Sequence, residues 1–296
     1  FIKYAGCDND GNQLPDSPMK GGVAVFAAGN DNFDYDPLVS YEPIIAVGAF
    51  GATGNKASYS NYGDWVDVAA PGGDAKLGIY STLLSDNYGG ADWQGTSMAC
   101  PHVSGVAALL VSYFGGPGFT AEECRTRIIR GAVPNFFSGS RYIGRKLDAY
   151  GAFTFDMDTP IQEPVLAWAG PLPEEIGYRE TVELPFTVSD PLGQYVSLTL
   201  SPERPGLSLQ EKDGRYSVRI DASELGSGSY TLVITATNED KASARLTHAL
   251  TVLRNRAPEV LQQKPASIIL DGPDERTTLP VASWFTDADG DALTFT

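Results

Sequence analysis

From Ser97 to Phe114 nearly every residue is apolar or small, with no charged face. A helix with that composition cannot lie on a surface, because it has no polar stripe to turn toward water. It reads as a helix buried in the middle of a large domain. The segments before it agree. Val23-Ala-Val-Phe-Ala-Ala28 and Ile44-Ile-Ala-Val-Gly-Ala-Phe50 are continuous apolar runs bounded by Gly, Asn and Pro, the pattern of strands covered on both faces of a parallel sheet. Trp65 to Ala70, stopped by Pro71-Gly72, and Gly78 to Leu83 are two further candidate strands. A second helix is expected from Ala121 to about Arg130, capped by Thr120, with Glu122 and Glu123 in its first turn. The first part of the chain is therefore α/β.

After Asp156 the texture changes. Pro160, Pro164, Gly170, Pro171 and Pro173 punctuate a linker, and short alternating segments follow: Thr181 to Val188, Tyr195 to Leu200, Tyr216 to Ile220, Tyr230 to Thr237 and Arg245 to Leu253. Period-two alternation without helical spacing predicts an all-β sandwich. Phe186-Thr-Val-Ser-Asp190 is echoed by Phe285-Thr-Asp-Ala-Asp289, 99 residues further on, which suggests tandem β modules. The expected domains are 1–157, 158–254 and a partial second module over 255–296.

At 296 residues and 42% hydrophobic content the chain can build two or three cores. Its net charge of −16 leaves no basic stripe for nucleic acid or anionic membrane. The longest apolar run, Val103 to Phe114, is broken by Ser104, Gly105 and Ser112, so no transmembrane segment is expected. Cys7, Cys100 and Cys124 form no disulfide framework by number or spacing. Residue 1 is Phe and the last residues continue a strand-like alternation, so both termini read as cuts in a longer protein.

Chemistry concentrates at Gly95-Thr-Ser-Met-Ala-Cys-Pro-His102. A serine in the first turn of a buried helix lies beside unsatisfied backbone N–H groups and the positive end of the helix dipole, where negative charge can be stabilised. Ser97 is thereby placed as a nucleophile, although an ordinary capping serine satisfies the same local pattern. A lipase-like nucleophile elbow is a poorer fit, since Asp92-Trp-Gln94 is a weak strand and no suitable histidine follows.

Taken whole, Gly-Thr-Ser-Met-Ala-x-Pro-His followed by a small-residue apolar helix resembles the nucleophile block of subtilisin-like serine proteases. Val23 to Asn30 is similar to the same family's strand ending in Ala-Ala-Gly-Asn. Ala57-Ser-Tyr-Ser-Asn-Tyr-Gly63, Val66-Asp-Val-Ala-Ala-Pro-Gly72 and Ile143-Gly-Arg-Lys-Leu-Asp-Ala149 follow its order, so the resemblance covers about 22–155. It implies that Ser97 attacks the scissile carbonyl of a protein or peptide and that the Asn30 amide donates to the oxyanion. It also implies that Ala27, Ala28 and Gly29 line the primary specificity pocket, and that no cofactor is required. The loop Tyr41-Glu-Pro43 departs from the family, where proline commonly follows tyrosine directly.

The family's triad Asp and His motifs are absent from this sequence. His102 is five residues beyond Ser97 on the same helix and cannot turn back to the hydroxyl, and His248 falls in the β region. The expectation is an enzyme whose Asp and His come from the upstream half of the catalytic domain, with the fragment alone inactive. The competing expectation is a catalytically dead scaffold in a surface adhesion protein, its β modules holding polysaccharide or protein. Either would be secreted or cell-surface. Asp287-Ala-Asp-Gly-Asp291 resembles the Ca²⁺ ligands of bacterial cadherin-like repeats, and a plain solvated turn suits the same residues. Asp287, Asp289 and Asp291 are the candidate metal ligands.

Overall fold

A computed structural model describes residues 1–75, 77–261, 281–289 and 292–294. The chain forms two compact units. The first comprises Phe1–Val165 with Ser189–Leu198 and Ala236–Ala244; the second comprises Leu166–Val188, Thr199–Thr235 and Arg245–Thr296.

In the first unit the apolar runs become a parallel sheet of β1 (Val25–Ala27), β2 (Ile45–Phe50), β3 (Val68–Pro71) and, after the helices, β6 (Arg145–Lys146), in the order β1-β2-β3-β6. Every pairing is parallel, with Val47 opposite both Ala27 and Val68. Alternation then sorts the side chains. Ile45, Val47, Ala49, Val68 and Ala70 join one core, while Ala69 joins another with Phe137, Tyr142 and Ile143. The expected strand over Gly78 to Leu83 shrinks to a hairpin of β4 (Ser81–Thr82) and β5 (Tyr88–Gly89), because this stretch lies over the surface with Leu84 91% exposed.

Helix α1 (Thr96–Phe114) packs across β1, β2 and β3 through Ala99, Val103, Val106, Ala107 and Leu110. Its surroundings differ from the expectation of burial all round, since Leu109 and Tyr113 on the opposite face are 56% and 74% exposed. By length and composition alone α1 is long and apolar enough to cross a bilayer, a test that the core helix of a soluble protein passes equally. One face of α1, through Ala99, Val103, Val106, Ala107 and Leu110, is packed on the sheet.

Helix α2 (Ala121–Arg130) starts and stops where its sequence dictates. Thr120 Oγ1 accepts the Glu123 N–H at 3.0 Å, acids occupy the first turn, and Arg127 and Arg130 occupy the last. Short α3 (Ala149–Thr154) is capped by Asp148, which accepts from Gly151.

One buried cluster in this unit is invisible to local pattern. Arg145, Glu239 and Asp240 are each only 2–3% exposed at the side chain. Arg145 Nη2 donates to Asp240 Oδ1 at 2.7 Å, and its Nε sits 3.6 Å from Glu239 Oε2 without a hydrogen bond. Arg130 pairs with Asp240 at 3.2 Å, Gln194 Nε2 donates to it at 2.8 Å, and the Tyr142 hydroxyl donates to Glu239 at 2.7 Å. Burial, with Glu239 beside it, drives the Tyr142 pKa well above the usual phenol value.

The strands of the β region form two four-stranded sheets, ordered β10-β13-β14-β8 and β11-β12-β9-β7. These are β7 (Val165–Trp168), β8 (Glu175–Ile176), β9 (Thr181–Ser189), β10 (Val196–Ser201), β11 (Leu207–Lys212), β12 (Arg215–Asp221), β13 (Gly228–Asn238) and β14 (Ser243–Val252), with the one-turn helix α4 (Ala222–Leu225) after β12. The sequence reading missed β11, although Asp213-Gly214 marks it. Both residues have positive φ, 53° and 72°, and close a two-residue hairpin that sets Lys212 opposite Arg215. Further on, β15 (Glu259–Val260) pairs antiparallel with β16 (Phe285–Thr286).

Candidate active site

The corner where β1 ends and α1 begins brings Asn30 to Ser97. Gly95 precedes the helix with φ 151°, a conformation L side chains rarely adopt, and its N–H donates to Gly72 O at 2.9 Å. Thr96 is fully buried and ties the corner together. Its N–H and hydroxyl both donate to Asn30 Oδ1, at 2.9 and 3.0 Å, and its hydroxyl accepts the Gly29 N–H at 3.1 Å. With its oxygen doubly engaged, Asn30 keeps its Nδ2 hydrogens without a partner among the described residues. A side chain at Gly95 would begin 3.5 Å from that nitrogen, so the free donor lies against the residues preceding Ser97.

Ser97 itself is exposed, in the first helical turn, where the helix supplies no acceptor for its N–H. A solvent-facing hydroxyl and a free backbone donor at Ser97, with the free amide of Asn30 held on the neighbouring Thr96, thus lie at the positive end of a 19-residue helix. Such an arrangement can stabilise an oxyanion formed at an atom attacked by the hydroxyl.

The other expected residues fall as follows. Ala28 is fully buried, its N–H given to Val47 O at 2.9 Å, while Ala27 and Gly29 are half-buried beside it. His102 turns away from Ser97, its Nδ1 2.9 Å from Met98 O. His248 is half-buried, with Nε2 2.8 Å from Pro173 O and its ring edge-on to Trp168. Neither histidine is a base for Ser97. In the acidic turn, Asp289 accepts Arg256 Nε at 3.1 Å and Nη2 at 3.0 Å, and its own N–H donates to Asp287 at 2.9 Å. Bonds from the Arg256 backbone and guanidinium lower the Asp289 pKa. Asp291 lies outside the described residues, and among those residues no three His, Cys, Asp or Glu side chains gather as a metal site.

The site is an open corner. A cleft of about 450 Å³ lies elsewhere in the first unit, lined by Tyr41, Trp65, Asp67, Arg125 and Asp240. Burial raises the Asp67 pKa to about 6 despite its ion pair with Arg125 at 3.4 Å. All three cysteines are free, and burial pushes Cys124 up to about 11.

The sequence model of the subtilase family matches residues 6–154, half of the chain. The chain belongs to the subtilase family. Among its relatives, the thermophilic serine proteinase of a Bacillus species is 43% identical over 138 residues, 46% of this chain and 32% of that protein. Thermitase of Thermoactinomyces vulgaris is 40% identical over 137 residues, 46% of each. An extracellular serine proteinase of a Thermus species is 35% identical over 136 residues, 45% of this chain and 32% of that protein. The chain therefore spans a third to a half of the length of these three relatives, and the β region lies outside the matched stretch.

Proposed function

We propose that this chain carries the nucleophile and oxyanion hole of a subtilisin-like serine endopeptidase that cleaves protein or peptide substrates through an acyl-enzyme on Ser97. The observation that carries the reading is the Asn30 amide, held by Thr96 through its oxygen so that its donors remain free beside an exposed serine at a helix start. The Asn30 Nδ2 and the Ser97 N–H donate to the oxyanion, and the chemistry uses only side chains and backbone amides.

The triad carboxylate and imidazole come, in this proposal, from the further part of the catalytic domain. Two surfaces support that placement. Among the described residues β1 pairs only with β2, leaving one edge without a strand, and the outward face of α1 exposes Leu109 and Tyr113. Missing strands and a helix cover would bury both. Secretion fits the acidic surface and the Thermus relative's printed description as extracellular. The two sheets of the β region we read as one Ig- or cadherin-like sandwich, supported by the Trp168–His248 contact from β7 to β14. A Ca²⁺ ion at Asp287 and Asp289 would have to displace Arg256.

Fluorophosphonate labelling of the full-length protein tests the enzyme reading. An adduct on Ser97 is expected, formed roughly 10²–10³-fold more slowly in Asn30→Ala. A folded protein without an adduct would overturn the reading and leave the scaffold in its place.

A further inference from the structure

Asn30 lies within the turn spanning residues 28–33, and its own side chain is held only from the helix side, by Thr96. The residue that fixes the turn's backbone is Asn61, 3% exposed, in the loop between β2 and β3. Its Nδ2 donates to Ala28 O at 2.8 Å, its Oδ1 accepts from Asp31 N–H at 3.0 Å and Phe33 N–H at 2.9 Å, and its own N–H donates to Gly29 O at 3.0 Å. One buried side chain and its peptide thus hold the chain on both sides of Asn30, at residues 28, 29, 31 and 33.

The fit is tight. Gly29 has φ 102°, and a Cβ there would come within 2.4 Å of Asn61 Nδ2, so the amide packs directly against the backbone it binds. Asn61 is itself fixed to the central sheet. Ser60 Oγ donates to Asn61 O at 2.9 Å and accepts the Ala49 N–H of β2 at 3.0 Å, with Ser60 fully buried. The linkage runs from β2 through Ser60 and Asn61 to the turn that presents Asn30, and Thr96 closes it from the helix side.

We propose that Asn61 is a positioning residue for the oxyanion hole, acting through Asn30 and touching no substrate atom. This rests on the endopeptidase reading above. Without its amide, two N–H donors and one carbonyl of the 28–33 turn lose their partners, and the turn is free to shift. A misplacement of about 1 Å at a catalytic group costs on the order of a hundredfold in rate.

A double-mutant cycle in the full-length protein separates this role from general support of the core. The readout is fluorophosphonate inactivation, resolved into probe affinity and acylation rate. Asn61→Ala should slow acylation about 30- to 100-fold with probe affinity unchanged within about threefold. In the Asn30→Ala background the same substitution should slow it less than about threefold, since the donor it positions is already gone. Asn61→Asp, which keeps an acceptor for Asp31 and Phe33, should recover about tenfold, and it carries the cycle if Asn61→Ala does not fold. Equal losses in both backgrounds, or no loss beside an intact Asn30, would overturn the proposal. Absence of any Ser97 adduct in the unsubstituted protein would remove the enzyme reading and this inference together.

Discussion

Two polar constructions in the first unit can be set side by side: the corner at Asn30, Thr96 and Ser97, and the cluster at Arg145, Glu239 and Asp240. The corner is made of neutral amides and hydroxyls, and one end of it is left open to solvent. Thr96 saturates the Asn30 oxygen while the nitrogen stays free. The cluster is made of full charges and is buried, with Tyr142, Arg130, Gln194 and the Asn135 N–H meeting its carboxylates and only Arg145 Nε left without a hydrogen bond. Charges taken out of water must be matched by partners, so a buried ionic cluster tolerates no unpaired charge. A site that waits for an anion needs the reverse: donors fixed in place and unspent. The same unit therefore pairs every charge in the cluster and leaves amide donors unspent at the corner, as the proposed function requires.

Stability measurements should separate the two. Arg145→Ala leaves Glu239 and Asp240 buried without their guanidinium, and should destabilise the protein by about 3–5 kcal/mol in chemical unfolding. A loss below about 1 kcal/mol would mean that water reaches the cluster, and the contrast with the corner would dissolve.

The pH dependence comes next in size. Asp67 lines the same cleft as Glu239 and Asp240, so this carboxyl borders the cluster. Its folded pKa, about 6, lies above its ordinary 3.8 because burial disfavours the charged form. The folded protein therefore binds this proton more tightly than the unfolded chain. The associated stability is fully present below about pH 4 and is lost as pH rises through about 6, by up to about 3 kcal/mol. Asp67→Asn should flatten the dependence of unfolding free energy on pH across that window. A slope unchanged by the substitution would assign the titration to another group.

The smallest effect belongs to the corner. Asn30→Ala removes the acceptor from the Thr96 N–H and hydroxyl, a loss of about 1 kcal/mol in the same unfolding assay. Destabilisation as large as that from Arg145→Ala would show that Asn30 holds the fold together, and the division between cohesion and chemistry would fail.

Much of this molecule is written locally. The parallel sheet follows from apolar runs bounded by Gly and Pro and α2 from Thr120 with its flanking charges, while the two blocks of the corner were joined only by their resemblance to one family. The span of α1 was legible, but its half-exposed state was not, because composition reports what a helix can bury and says nothing of what is there to cover it. The extra strand β11 had a readable signal in Asp213-Gly214, whose positive φ values close its hairpin.

Asn61 and Arg145 are different. Asn61 reaches residues 28 to 33 positions back along the chain, and Arg145 reaches 95 positions forward to Asp240. An asparagine in a loop or an acidic pair at a strand end has dozens of possible partners, and nothing within a few residues selects one. The sequence by itself determined most of the strands and helices, since caps, turns and apolar periodicity act over a few residues, and it nominated Ser97 and Asn30 through whole blocks that resemble one family. Only the tertiary structure decided which buried polar groups satisfy one another, because the cost of an unpaired charge or amide is set by a neighbourhood that exists only after the chain has folded.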